Sequence, residues 1–426
     1  MPSYLNLSTE QAELELQALN QRYQSYLEQK LNLNMTRGKP CPDQLDLSAG
    51  LMTCLTEDDY KSTDGTDCRN YGGLDGIPEA RQLFADLLGT SLQNVSVLGN
   101  SSLNIMYDLL VKAMLFPVPG AEKPWSKYEK LRFICPVPGY DRHFFVTQEL
   151  GFEMIPVAMT ADGPDMDQVE ALVASDPLIK GMWLVPVYSN PDGITCSEET
   201  CRRLAAMPTA AADFRIFWDN AYVVHHLNQQ DAEGTPDILE LCQAVGNPNR
   251  VFEFASTSKI TWAGAGVACV ASSQDNLTFI RKRMSIQTIG PDKVNQLRHC
   301  RFLNDKAGVM ALMARHADIL RPKFELVQSI LAEQLGDTGI CSWKNPKGGY
   351  FVSISVLPGT ANEVVHLAKK CGVEVTPAGN PFPLGQDPDD TNIRLAPSFP
   401  PLSELKTALE VLCTCVRLAA LQKLRS

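Results

Sequence analysis

No segment of the sequence gathers lysine and arginine into a basic patch. Acidic residues outnumber basic ones, 49 to 38, for a formal net charge of −11. A general nucleic-acid surface is therefore not expected, because phosphate binding needs clustered cations. No apolar run approaches the ~20 residues of a membrane-spanning helix. The opening stretch MPSYLNLSTEQAELELQALNQ is polar and acidic, and reads as neither a secretory signal nor a transit peptide. The expectation is a cytoplasmic protein with neither a membrane nor a nucleic-acid partner.

Cysteine is not scarce, at 13 residues, but no C-x-x-C pair occurs and many cysteines sit in apolar runs such as FICPV and VACVAS. Such thiols read as reduced core residues, not as a disulfide framework. Histidine is scarce, at six. The adjacent His225 and His226 have poor geometry for one shared ion and read as polar residues at a strand or loop edge, so no metal is expected. A P-loop and a G-x-G-x-x-G are both missing, which makes a nucleotide the weaker candidate ligand.

What the chain does have is enough length, 426 residues with 44% hydrophobic, for two domains and a large core. Leu14, Leu16, Leu19, Tyr23 and Leu27 recur at helical spacing after Ser8 or Thr9, a plausible cap. Residues 36–70 look irregular, and PEARQLFADLL from Pro78 reads as an amphipathic helix opened by proline. Apolar runs LRFICP, FEMIPVAM, MWLVPVY, RIFW, VFEFA and GVACVA then alternate with helical stretches such as MDQVEALVA and SEETCRRLAAM. That rhythm predicts an α/β fold with a mainly parallel sheet covered by helices. A long helix over about 305–335 leads into a smaller α+β unit. The expected division is residues 1–45 as an N-terminal helix and arm belonging to the small unit, 46–310 as the large unit, and 311–426 as the C-terminal small unit.

In open α/β sheets, ligands bind beyond the carboxyl ends of the strands. Tyr140 and His143 follow LRFICPVP, Asn190 follows MWLVPVY, Asp219 and Tyr222 follow RIFW, and Ser256, Ser258 and Lys259 follow VFEFA. Lys259 stands among small and hydroxylated residues, with no other charge from 254 to 274. An ordinary lysine amine is protonated and a poor nucleophile; desolvation among small groups frees it. Pyridoxal phosphate (PLP) needs this whole set. A lysine forms the Schiff base, a carboxylate holds the ring nitrogen's proton, an aromatic stacks on the ring, and donors meet its phenolic oxygen. Lys259, Asp219, Tyr140, and Tyr222 with Asn190 are the respective candidates. His143 either orients Asp219 or ends a helix, and Asn190-Pro191 is also an ordinary turn signal. For the phosphate, Gly99, Asn100, Ser101 and Ser102 open a helix whose N-terminus suits an anion, although capping alone also explains the serines.

The motifs resemble those of the class I/II aminotransferases, the fold-type I PLP enzymes, over most of the chain from about Met35 to Ser403. YGGLDGIPEAR, PVYSNPDG, WDNAY, STSK, NPKGGYF and NIRLAPS keep the family's order. NMTRGKP, STSKITWAGAGVA and IGPDKVNQLRH look like the bacterial aspartate aminotransferases called subgroup Ic. The resemblance implies a seven-stranded, mainly parallel sheet in the large domain and a homodimer with shared active sites. It also implies that Tyr71 reaches the neighbouring subunit's cofactor and that Arg394 grips the substrate α-carboxylate, a task suited to a planar guanidinium.

One departure stands out. Most class I members place a phosphate-pairing arginine eight residues after the lysine; here that position is Val267. Lys293 is a candidate replacement, or hydroxyls and backbone donors suffice. A dicarboxylate substrate needs a second cation, for which Arg37 beside Gly38 leads, with Lys39, Arg142 and Lys293 behind. The implied activity is ping-pong transamination from L-aspartate to 2-oxoglutarate. The rivals are a transaminase for alanine or aromatic amino acids, a PLP lyase or decarboxylase, and a non-catalytic PLP- or ligand-sensing module.

Overall fold

The computed structural model describes residues 3–425. Strand formation follows the apolar runs. In chain order the strands are β1 (Leu33–Asn34), β2 (Val95–Val97), β3 (Arg132–Val137), β4 (Glu153–Thr160), β5 (Gly163–Pro164), β6 (Ile179–Leu184), β7 (Arg215–Asp219), β8 (Val251–Ser256), β9 (Ala268–Ala271), β10 (Cys341–Trp343), β11 (Val352–Val356), β12 (Val373–Glu374) and β13 (Asn392–Leu395). The large sheet has the order β2-β9-β8-β7-β6-β3-β4-β5. Strands β4, β3, β6, β7 and β8 run parallel, while β9 is antiparallel to both its neighbours. It therefore has eight strands, not seven. The extra one, β5, is two residues long and pairs only with the end of β4 across a turn. A pair of residues is too short to leave a periodic trace.

The central strands are buried on both faces, as parallel strands covered by helices must be. Side chains alternate between two cores with the two-residue period of the pleat. Ile134, Met182, Leu184, Ile216, Trp218 and Val251 enter one core. Phe133, Cys135, Trp183, Phe217, Phe252 and Phe254 enter the other.

A third core joins both ends of the chain. Leu19, Tyr23 and Tyr26 of the helix Thr9–Glu28 pack with residues of the C-terminal helix Leu402–Arg425 and of β11 and β13. Ser8 caps that first helix, its hydroxyl accepting from the Gln11 amide while the Gln11 side chain accepts from the Ser8 amide. The helix Lys306–Leu335 spans two cores: Val309, Leu312 and Met313 face the sheet, and Leu320, Phe324, Val327 and Leu331 face the third core. Residues 36–70 are less irregular than expected, since Pro42–Asp46 forms a short helix opened by proline and Ala49–Met52 a single 3-10 turn. His225 and His226 are at a loop edge, where His226 bridges to Gly348. They are 3% and 8% exposed, because the chain from Gly348 to Tyr350 folds over them.

Candidate active site

The sheet order sets the site. β8, β7, β6 and β3 are consecutive neighbours, so their carboxyl ends bring Lys259, Asp219 with Tyr222, Asn190 and Tyr140 to one rim. A cavity of about 260 Å³ opens there. Its wall contains Lys259, Asp219, Tyr222, Asn190, Tyr140, Ser101, Ser102, Ser256, Ser258 and Gly38 from the predicted set. Asn100, Arg37, Tyr71 and Arg394 are outside it.

Asp219 ends β7 and is buried. Its Oδ2 meets His143 Nε2 at 3.0 Å, while its Oδ1 is buried with no partner. His143 is itself fixed. Its ring stacks on Trp183 at 4.3 Å and 8°, and Thr147 Oγ1 donates to the His143 carbonyl while accepting from Trp183 Nε1. Thus the orientation of the carboxylate is set two layers deep, and one oxygen is left for a donor in the cavity. An unpaired buried acceptor costs roughly 1–3 kcal/mol, so a protonated ring nitrogen placed there would be stabilised.

Lys259 reaches the cavity from the turn after β8, its Nζ 4.7 Å from the centre of the Tyr222 ring. Burial holds its pKa below the ordinary lysine value, with attraction to Asp219 opposing the shift. The amine is thereby moved toward its nucleophilic form. Tyr140 begins the helix Asp141–Glu149, and its phenol is pushed up to about 12, first by burial and then by Asp219. Burial also raises the Tyr222 phenol, so both hydroxyls keep their protons and can donate.

Ser101 occupies the capping position of the helix Ser102–Leu115 but its side chain makes no capping bond. Capping therefore does not explain this serine, which lines the cavity at a helix N-terminus that favours an anion. Asn100 is exposed and does not join the wall. Val267 is buried and bonded to Thr257 through both its amide and its carbonyl, and among the described residues no cation other than Lys259 lines the cavity. Lys293 does not replace the absent arginine: its Nζ is committed to the carbonyls of Asn70 and Gly72.

Arg394, on β13, lies just behind Asn190 and Phe351. Its NH1 is 3.3 Å from Asn190 Oδ1 and 3.5 Å from Asp141 Oδ1, and its guanidinium carbon is 5.1 Å from the centre of the Phe351 ring. Gly38 is in the wall because no side chain fits there; a Cβ would come within 2.2 Å of the Phe351 ring. Arg37, one residue earlier, is exposed. Lys39 sits over Phe399 and Arg142 over Phe145.

Several neighbours of the site left no mark in the sequence. Met106, Val185 and Leu103 are also in the wall, beside Phe351 of the NPKGGYF motif. Behind Lys259, Gln44 Nε2 donates to His316 Nδ1 at 2.9 Å and to Tyr350 Oη at 3.0 Å, and Tyr350 Oη lies 3.4 Å from the Lys259 carbonyl. His225 packs against Tyr222 and Tyr350, and burial and the Lys259 charge keep it neutral.

A family profile described as aspartate amino-transferase matches residues 7–426. A curated aspartate aminotransferase of Corynebacterium glutamicum is 50% identical over 402 residues, covering 94% of this chain and 93% of that one. The chain belongs to the aspartate aminotransferase family. It is an aminotransferase with the fold-type I architecture of that family, whose members work with PLP. The crystal structure of an aspartate transaminase from Corynebacterium glutamicum superposes with a TM-score of 0.97 at 48% identity, covering 99% of each chain. An α-aminoadipate aminotransferase of Thermus thermophilus, complexed with N-(5'-phosphopyridoxyl)-L-leucine, shares the fold at a TM-score of 0.73. It is 20% identical, with 94% of this chain and 95% of that chain covered.

The residues of this chain fit PLP. The unpaired Asp219 Oδ1, the depressed lysine and the uncapped Ser101 hydroxyl at a helix N-terminus match a ring N–H, a carbonyl carbon and a phosphate respectively.

Proposed function

We propose that the protein transfers the amino group of L-aspartate to 2-oxoglutarate in two ping-pong half-reactions, giving oxaloacetate and L-glutamate, with PLP held covalently by Lys259. The observation that carries this reading is the facing pair at the strand ends. A desolvated lysine and a carboxylate with one orphaned oxygen share one cavity, with Arg394 behind the adjoining wall. The name of the Corynebacterium relative supports aspartate as the donor.

PLP, when bound, supplies an electron sink and carries the amino group between the half-reactions. Lys259 would hold it. Asp219 would keep its ring nitrogen protonated, and Tyr140 would cover the ring. Tyr222 and Asn190 would meet its phenolic oxygen, and Ser101, Ser102, Ser256 and Ser258 its phosphate. Arg394 would bind the substrate α-carboxylate through its planar fork, drawing on the same face that now contacts Asn190. Lys259 Nζ, its basicity lowered by burial, would take the α-proton and return it at the carbon on the far side of the amino nitrogen, two bonds away. Phe351 packs against Gly38, where a Cβ would come within 2.2 Å of its ring, and this close approach would help shield the reacting centre from water.

We infer further a cytoplasmic homodimer in which Tyr71 serves the neighbouring site. The division at residues 46 and 310 is likewise proposed, supported by the helix Lys306–Leu335 passing from one core to another. A second reading has one observation in its favour: Lys259 is the only cation in the cavity wall among the described residues. A distal carboxylate would thus meet no second cation of this chain in that wall, which favours alanine or an aromatic amino acid as donor.

The deciding experiment is visible absorption of the purified protein after incubation with PLP. Bleaching by L-aspartate, reversed by 2-oxoglutarate, supports the proposal. Bleaching only by alanine or an aromatic amino acid moves the assignment to the second reading. A protein that stays colourless after PLP is a non-catalytic ligand-binding module.

A further inference from the structure

Lys293 opens the helix Lys293–Leu303 and is 3% exposed. Its ammonium has no carboxylate within ion-pair distance among the described residues, and it does not line the cavity. Instead Nζ donates to the carbonyls of Asn70 at 2.8 Å and Gly72 at 2.7 Å, the residues on either side of Tyr71. The loop is shaped to receive it. Gly72 and Gly73 have φ of +100° and +72°, which side chains resist, and a Cβ on Gly73 would lie 3.3 Å from Lys293 Cδ. Gly290 closes from the other side; a Cβ there would be 2.3 Å from the Gly72 carbonyl oxygen. The Asn70 side chain accepts from the Tyr71 amide at 2.9 Å.

What this clamp holds still is a ring that the chain itself does not use. Tyr71 is 79% exposed and outside the cavity. The segment that closes on its loop exposes Ile286, Ile289 and Val294 as well, an apolar surface continuous in sequence with Gly290 and Lys293. Burying an ammonium to order an exposed phenol stabilises nothing within one chain, since burial of a charge is costly. It does reduce the ordering cost of binding at that surface. Meanwhile Lys259 is the only cation in the cavity wall among the described residues, and the position of the family's phosphate-pairing arginine is the buried Val267.

We propose that Lys293 is a positioning residue: it presets Tyr71 for the cavity of a second copy of this chain, where the phenol supplies a hydrogen bond to the cofactor phosphate. The proposal rests on the shared-site reading above and assigns Lys293 a role distinct from direct phosphate pairing.

The test is a double-mutant cycle on the PLP-loaded dimer and on the cofactor-free dimer. Lys293→Met should speed amide hydrogen exchange at residues 70–73 in the cofactor-free protein and leave sedimentation as a dimer unchanged. PLP dissociation should rise about tenfold, the scale of one hydrogen bond to a charged group. Tyr71→Phe should raise PLP dissociation similarly without loosening the loop. The double variant should be no worse than Tyr71→Phe alone, because Lys293 acts through the tyrosine. Lys293→Arg, whose fork reaches two carbonyls, should recover most of the retention. Additive losses in the double variant, or unchanged exchange in Lys293→Met, overturn the proposal. Hybrids of Lys259→Ala and Tyr71→Phe protomers separate it from the reading it rests on. Recovery of tight PLP in half the sites supports action across the dimer; no recovery overturns the shared site itself.

Discussion

Two lysines show how differently this chain uses a desolvated ammonium. Lys259 lies on the rim of the large sheet with small neighbours, its pKa lowered by burial, and its amine turned to a cavity. Lys293 has two backbone carbonyls at hydrogen-bond distance and no access to that cavity. The first is left unsatisfied so that it can react; the second is satisfied so that something else stays in place. Both sit near glycine-rich turns, so composition does not tell them apart. The difference lies in whether an acceptor occupies the space around the nitrogen, which is a property of packing.

Breaking the rim should have the largest effect. Lys259→Ala is expected to lower transamination by on the order of 10⁴-fold or more, since nucleophile and proton carrier are lost together. Its urea midpoint should match or exceed that of the parent, because a costly buried amine is gone. A variant that loses activity and unfolds early would place Lys259 with Lys293 among the structural lysines.

Arg394→Ala should come next, raising the KM for every amino-acid donor alike by roughly 10–100-fold, the worth of a bidentate charge-assisted contact. A change confined to dicarboxylate donors would instead assign Arg394 to the distal carboxylate.

The third test concerns β8, the strand that leads into the Lys259 turn. Burial raises the Glu253 carboxyl to about 8 from its ordinary 4.5, against the donation from Asn220 Nδ2 at 3.0 Å. Between those two values the folded protein holds a proton that the unfolded chain has released. The protonated group's contribution is therefore complete below pH 4.5 and is lost as pH rises toward 8, at up to ~1.4 kcal/mol per pH unit. Glu253→Gln should remove that slope, so its stability relative to the parent should rise from pH 5 to pH 9 in denaturant titrations. Parallel pH profiles would show the carboxyl already ionised.

The smallest effect is expected at Arg37. Exposed and outside the wall, it should tolerate Arg37→Met with a KM for aspartate within about twofold, as surface changes away from a site usually do. A large KM increase for aspartate but not for alanine would return it to the substrate.

Much of the rim was legible because each strand end is a short signal: an apolar run followed by polar residues. Asp219, Asn190, Tyr140 and Lys259 could be named before their distances were known. The relation between His143 and Asp219 was legible only as an alternative, and the 3.0 Å contact decides it. Gln44 and His316, which support Tyr350 behind the lysine, gave no signal. They lie 272 residues apart, and nothing in either neighbourhood marks them as partners. Gly38 and Arg37 are adjacent in the chain yet fall on opposite sides of the wall. The close approach of Phe351, more than 300 positions away, selects which one faces the cavity.

Sequence alone determined the alternation of strands and helices, the family, and the chemical kinds at the strand ends, since these depend on local periodicity and on residue type. Tertiary structure decided which groups are left without partners. The orphaned Asp219 oxygen, the free Ser101 hydroxyl and the committed Lys293 amine are all statements about who else is within 3 Å. Hydrogen bonding and desolvation act over that range, and only the folded chain brings residues hundreds of positions apart inside it.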